Sequence, residues 1–225
     1  MAASTSQQQM IVDAFNSQVY IQDRMDVQHT PVYDTVCWQP ATNITEANAT
    51  WFTNVGPAAI YTGAILKTFA QTNMTQSQKL PAPEAFSIYG IRLRIKEDIL
   101  RQDLDAILDG TAIGGGNGFA FEFWLGQKCY QRAPLWYFAA GGGIWGQQTM
   151  GGTLVAAITP SVYTNGVPDR NGMHKLVLNI VIENQMTFYA RLVGGVYLLL
   201  PAAVSFGTGC IMQVLLDGLY ARGVQ

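Results

Sequence analysis

Two histidines, His29 and His174, are the only imidazoles in the 225 residues, and both sit beside loop-forming residues. An imidazole titrates near neutral pH and so serves as general base, metal ligand or pH switch. A hydrolase would place one of them with a serine on a nucleophile elbow or among paired acids, and neither motif surrounds them. They read as surface or interface histidines. Four aspartates, Asp98, Asp103, Asp105 and Asp109, fall in one short segment without the D-x-D-x-D-G spacing of a calcium loop. They read as the solvated face of a helix. Cys37, Cys129 and Cys210 are far apart, with no CxxC or Cys/His spacing for zinc, and read as buried thiols. Glycines cluster at Gly114–Gly118 and at Gly141–Gly146, where the letters spell G-x-G-x-x-G, but neither cluster opens a helix or runs into Lys-Ser/Thr. A phosphate cradle is therefore not expected. Sequons at Asn43, Asn48 and Asn73 would matter only on a secretory route, whose basic-then-apolar leader the first residues do not spell. These residue types predict no catalytic residue, no cofactor and no metal, and so no enzyme.

The elements around them are strands. From Thr72 to Lys96 the chain passes from polar loop through Leu80-Pro81-Ala82-Pro83 into a strand at Phe86. Two prolines fix φ and push their predecessors toward extended geometry, so the approach to the strand is stiff. Phe86 and Ile88 share one face; Ile91, Leu93 and Ile95 share a face one residue out of phase, which predicts a β-bulge at Tyr89-Gly90. Further strands are expected at Pro31–Trp38, Trp51–Thr53, Ile60–Thr62, Phe119–Leu125 and the segment carrying Gly126–Tyr130. Lys175–Ile182 is apolar on nearly both faces, which predicts a central strand, with Leu178 and Ile180 expected between the sheets together with Phe121 and Phe123; Met186–Leu192 is expected to pair with it across Glu183-Asn184-Gln185. Ile211–Leu216 and Leu219–Ala221 are expected to form a hairpin turning at Asp217-Gly218. The exception is a helix over about 98–109, capped by Asp98, closed by Gly110 and striped by Leu100, Leu104, Ile107 and Leu108. Asn165–Gly172 is dense in turn formers.

Residues 1–30 read as an arm. Ile11, Phe15 and Val19 recur every four residues and predict a short amphipathic helix that docks on its own subunit, clamps a neighbour or meets a membrane. The arm has no Lys or Arg before Arg24, and the net charge is −2 with a pI near 5.6. Such an arm cannot neutralise phosphates, so sequence-specific nucleic-acid binding is not expected. Charged residues make up 12% of the chain, against a usual share of roughly 25%. A surface so poor in charge is expected to be covered by other subunits or by membrane. The uncharged run Leu192–Leu216 is broken by Gly194-Gly195, Pro201, Gly207 and Gly209, which suits strand-turn-strand better than a spanning helix. Length and strand count fit an arm over 1–30 and one all-β domain over 31–225, an antiparallel β-sandwich.

Thr72-Asn73-Met74, Leu80-Pro81-Ala82-Pro83, Phe86 and Gly90-Ile91 are followed along the chain by Gly126-Gln127-Lys128-Cys129-Tyr130. Ala133-Pro134-Leu135-Trp136 running into Gly141-Gly142-Gly143, and the closing Leu216–Gln225, come next in order. Together, over roughly Ala49 to Gln225, these segments resemble the major capsid proteins of tailless icosahedral viruses, many of them from bacteriophages. The resemblance implies that the sandwich is a jelly roll and that copies of the chain assemble into an icosahedral shell around a genome. It also implies a place in the virion after assembly in the host cytoplasm, with minor capsid or vertex proteins and an inner membrane as further candidate partners. Ile11, Phe15 and Val19 would then form a subunit-interface arm. Two other classes share some of these features. A carbohydrate-binding or cupin-like protein uses the same sandwich, although a cupin wants more clustered histidines and carboxylates. An outer-membrane barrel is equally poor in charge, but it wants regular strands of about ten residues and aromatic girdles.

Overall fold

The computed structural model describes residues 25–39, 41–55, 60–62, 65–95, 101–108, 118–138, 145–147, 161–163, 174–199 and 210–223. In chain order the elements are β1 (Met25–His29), β2 (Val32–Trp38), β3 (Asn43–Ile44), β4 (Thr50–Trp51), β5 (Ile60–Thr62), β6 (Ile65–Leu66) and β7 (Ala85–Ile95). Helix α1 (Arg101–Leu108) follows, then β8 (Ala120–Leu125), β9 (Lys128–Pro134), the 3-10 turn η1 (Leu135–Phe138), β10 (Trp145–Gln147) and β11 (Ser161–Tyr163). The chain continues with β12 (His174–Ile182), β13 (Phe188–Val193), β14 (Tyr197–Leu198) and β15 (Cys210–Gly223). The protein is all-β and antiparallel. One sheet has the order β1–β15–β7–β12 with β2 also on β15; the other has the order β4–β13–β8–β9. Three small ribbons, β10–β11, β14–β3 and β5–β6, are the other strand pairs among the described residues, and the sheets curl into a half-barrel.

The organising pair is β7 and β15. Their ladder passes from Asp217 opposite Gly90 to Gly218 opposite Ile88, leaving Tyr89 out. This is the bulge that the phase shift in the sequence predicts, and Phe86, Ile88, Ile91, Leu93 and Ile95 are all buried on its two sides. Gly218 lets the strands close there: a Cβ on it would lie 2.2 Å from the Ser87 carbonyl oxygen and 2.5 Å from the Phe86 ring. The sheets share one core. Trp51 of β4 donates its indole N–H to the Met212 carbonyl of β15 at 3.0 Å, tying one sheet to the other. Phe52, Phe121, Phe123 and Phe188 fill the space beside it and are fully buried. Burial of each such side chain contributes roughly 1.5–3 kcal/mol.

Several sequence expectations give way here. Ile211–Ala221 is no hairpin, because β15 runs straight through Asp217-Gly218, with β7 along one edge and β2 and then β1 along the other. The Asp-Gly pair turns a chain only when the halves can pair with each other; here longer partners on both edges keep it extended. Among the described residues the first strand is β1, not the segment near Val32, so the expected arm of residues 1–30 ends in five residues of the sheet. β1 and β2 follow the same strand, and their break falls at Pro31, which has no amide for the ladder. β12 is an edge strand rather than a central one, paired among the described residues with β7 alone. Nor does it pair with β13: at Glu183–Thr187 the chain leaves one sheet for the other, where β13 lies between β4 and β8. Hydrogen bonds from Gln185 N to Leu80 O and from Gly126 N to Thr187 O hold that crossing. Helix α1 forms where expected, with Leu104 and Ile107 buried, although Asp98, Leu100, Asp109 and Gly110 lie outside the described residues.

Candidate subunit interface

The residues that could have carried chemistry are kept apart. His29 on β1 is exposed, stacks on Tyr89 with ring centroids 5.8 Å apart, and shares a hydrogen bond with its hydroxyl. His174 opens β12 on the far side of the same sheet, with β15 and β7 between the two. It packs against Tyr137 and Phe138 at 4.5 Å and 5.2 Å between centroids, and burial holds its pKa below the ordinary histidine value. Asp103 corrects the solvated-face reading: it is buried and accepts a hydrogen bond from the Tyr197 hydroxyl at 2.6 Å. Burial and that bond push the Tyr197 hydroxyl pKa up. Asp98 and Asp109, and the side chain of Asp105, lie outside the described residues, as do Ile11, Phe15 and Val19, Gly141–Gly143 and the turn at Asn165–Gly172. Cys210 is buried as expected, whereas Cys37 and Cys129 are half-buried because they sit on strand faces that the core does not cover; all three are thiols. Among the described residues no group of three His, Cys, Asp or Glu is placed to hold a metal. The sequon amides have structural work: Asn73 donates to Pro31 O at 2.7 Å and accepts from Tyr33 N at 2.9 Å, while Asn48 donates to Asn43 O.

Three acids that sequence reasoning did not pick out, each paired with one or two cations, hold the frame. Asp34 on β2 meets Lys67 at 2.7 Å with both side chains buried, and its second oxygen accepts Phe52 N–H at 2.7 Å. Lys67 also donates to the Asn54 carbonyl at 2.6 Å. The pair thus pins Phe52, whose φ of 66° is the left-handed conformation that few residues other than glycine adopt. Burial pushes the Asp34 carboxyl pKa up against the lowering effect of Lys67. At the β7–β15 bulge Arg92 grips Asp217 with two hydrogen bonds of 2.5 and 2.6 Å, the bidentate geometry that arginine offers a carboxylate. On the outward face of β8, Glu122 is buried under Arg132 at 2.5 Å, Arg191 at 2.8 Å and the Trp124 indole N–H at 2.7 Å. Burial raises its pKa, but the hydrogen bonds from Trp124, Arg191 and Arg132 outweigh that effect and hold the carboxyl below the ordinary value. Trp124 stacks on Tyr189, 2° from parallel, with Arg191 over its ring. One sequence signal for Asp34 was available: it sits in phase with Val32 and Val36, the inward positions of β2.

What the surface does offer is apolar. Among the described residues, large apolar side chains stand exposed on several elements: Leu66 and Phe69; Tyr130; Trp136 and Tyr137; Val177 and Leu178; Val196 and Leu198. Leu178 is thereby a correction, because period-two alternation places it with Ile180 in the core, yet it is 81% exposed while Ile180 is 4% exposed. The cause is in the register. His174 and Lys175 stand opposite Ile91 and Gly90, but Ile180 stands opposite Ile88, so Leu176–Asn179 face Tyr89 alone and bow away from the sheet. A cleft of about 260 Å³ lies between β1, the loop before β7 and the end of β15, with Lys79, Glu84, Tyr220 and Arg222 on its walls. Its polar groups partly satisfy one another, since the Tyr220 hydroxyl donates to Glu84 and Arg222 reaches Asp26 at 3.4 Å. No protein-family model matches this chain, and neither a curated protein nor a solved structure matches it.

Proposed function

We propose that this protein is a structural subunit whose copies assemble into a closed shell, the major capsid protein of a tailless icosahedral virus. The observation that carries the reading is the spread of exposed large apolar side chains over several elements of one small domain, from Leu66 and Phe69 through Trp136 and Val177 to Val196 and Leu198. A single large patch suits one partner; several, in a chain with 12% charged residues, suit a subunit that meets several neighbours at once. The two antiparallel sheets around one core are compatible with the jelly roll of such subunits, and the ordered motifs from Ala49 to Gln225 point the same way. In this reading Ile11, Phe15 and Val19 form the arm that joins subunits, the protein resides in the virion, and it turns over no substrate. A carbohydrate-binding role would want a flat aromatic platform, whereas the exposed rings of Trp136 and Tyr137 stand edge-on, 86° apart, and the Trp124 ring is stacked on Tyr189 under Arg191. The test is negative-stain microscopy with mass photometry of the purified full chain. Capsomers or closed particles are expected; a stable monomer at micromolar concentration under every assembly condition tried overturns the reading.

A further inference from the structure

Edge strands expose unpaired N–H and C=O groups, and proteins commonly guard them with a bulge or a charge so that sheets do not join end to end. β12 has the bulge, Leu176–Asn179 against Tyr89, which interrupts the ladder and blocks open-ended strand addition. Its exposed charge, Lys175, stands before the bulge and not on it. From Leu176 to Ile182 there is no ionisable residue, and at the crest of the bulge stand Val177, 99% exposed, and Leu178. Neighbours in a strand point to opposite sides, so the crest is apolar on both. The apolar surface continues along the strand: Tyr137 lies against His174, and Trp136 packs edge-on against Tyr137.

From this arrangement we infer that the Leu176–Asn179 bulge is a docking knob for a second copy of this chain. The inference rests on the shell reading and names the contact it uses. A nucleic acid or a strongly charged partner would want charges that this segment does not have. A chain poor in charge throughout, by contrast, presents apolar surface for it to meet. The size of the patch sets how it works. The two aliphatic residues, with Trp136 and Tyr137 about half exposed, offer roughly 400–500 Å² if an aromatic side chain buries 150–250 Å². A stable pairwise interface buries about 800 Å² per partner. The knob alone therefore makes a weak contact that holds when several form together, as closure of a shell requires.

Sedimentation velocity over a concentration series, with the full chain, tests this. Wild type should self-associate as concentration rises. The double variant Val177→Glu/Leu178→Glu should weaken that association at least tenfold while its melting curve stays that of wild type, since both side chains are solvated in the single subunit. Lys175→Gln, which leaves the crest intact, should associate within about twofold of wild type. Small oligomers that depend on Val177 and Leu178, in a protein that never forms particles, would support the knob and sink the shell reading. Particles that form equally well from the double variant would sink the knob and leave the shell reading standing. Wild type that stays monomeric but floats with phosphatidylcholine vesicles would also overturn the inference, by making the crest a lipid contact.

Discussion

β8 carries Phe121, Phe123 and Leu125 on one face, and β12 carries Leu176, Leu178 and Ile180 on one face, so the two segments have the same apolar period. In the fold the first set is buried throughout, while the second runs half-buried, exposed and buried. The difference is in their neighbours. β8 is flanked by β13 and β9 and lies over the core, with Phe121 and Phe138 rings 4.8 Å apart. Among the described residues β12 has β7 alone, and three extra residues in its register lift its middle off the sheet. Apolar alternation states which residues can share a face; pairing on both edges decides whether that face is covered. The same contrast separates the polar groups. Glu122, on the outward face of β8, is buried by its own arginines, whereas Lys175 on β12 is exposed.

The largest test of this contrast is Phe123→Ala. Removing a fully buried phenylalanine leaves a cavity and should cost about 3–5 kcal/mol, a large share of a domain's roughly 5–15 kcal/mol. Urea denaturation should show a large loss of midpoint or no soluble protein, and a midpoint equal to wild type would refute the interior placement of β8. Next is the interior ion pair. Lys67→Met leaves Asp34 buried without its cation and should destabilise by up to about 3–5 kcal/mol, moderated where the carboxyl takes up a proton. The double variant Asp34→Leu/Lys67→Met should recover most of that loss. If instead the double variant is no better than the single, the penalty is lost packing around Phe52 and not an uncompensated charge. At the small end, Leu178→Ala should change the stability of the isolated subunit by no more than about 0.5 kcal/mol, the ordinary range for surface positions. A loss as large as that of Phe123→Ala would return β12 to the interior and erase the contrast.

Much of the strand content was legible. The proline-stiffened approach to β7 and the bulge at Tyr89-Gly90 follow from two features printed in the letters, fixed φ at Pro81 and Pro83 and a one-residue slip in a period-two pattern. β8 and α1 were legible because each has a clear period. Failures came where pairing partners had to be guessed from adjacency. The run Glu183-Asn184-Gln185 looks like a hairpin turn, yet it carries the chain across to the second sheet, and Asp217-Gly218 looks like a turn in the middle of the longest strand. The frame-holding pairs were invisible for a similar reason. Asp34 and Lys67 are 33 residues apart and Arg92 and Asp217 are 125 apart, and nothing local to either residue announces the other.

Composition and period thus determined that this chain is all-β, that its surface is poor in charge and that Phe121 and Phe123 face inward. Those properties depend on single residues and near neighbours, through side-chain transfer from water and the geometry of an extended backbone. Only the tertiary structure decided that β12 is an edge, that its crest bows outward, and that Asp103, Asp34 and Glu122 are buried acids rather than solvated ones. Those outcomes depend on which strands, far apart in the chain, lie side by side. Burial is a property of the assembled surroundings: an apolar residue with no covering strand stays in water, and an acid with a cation and amide donors around it can leave water.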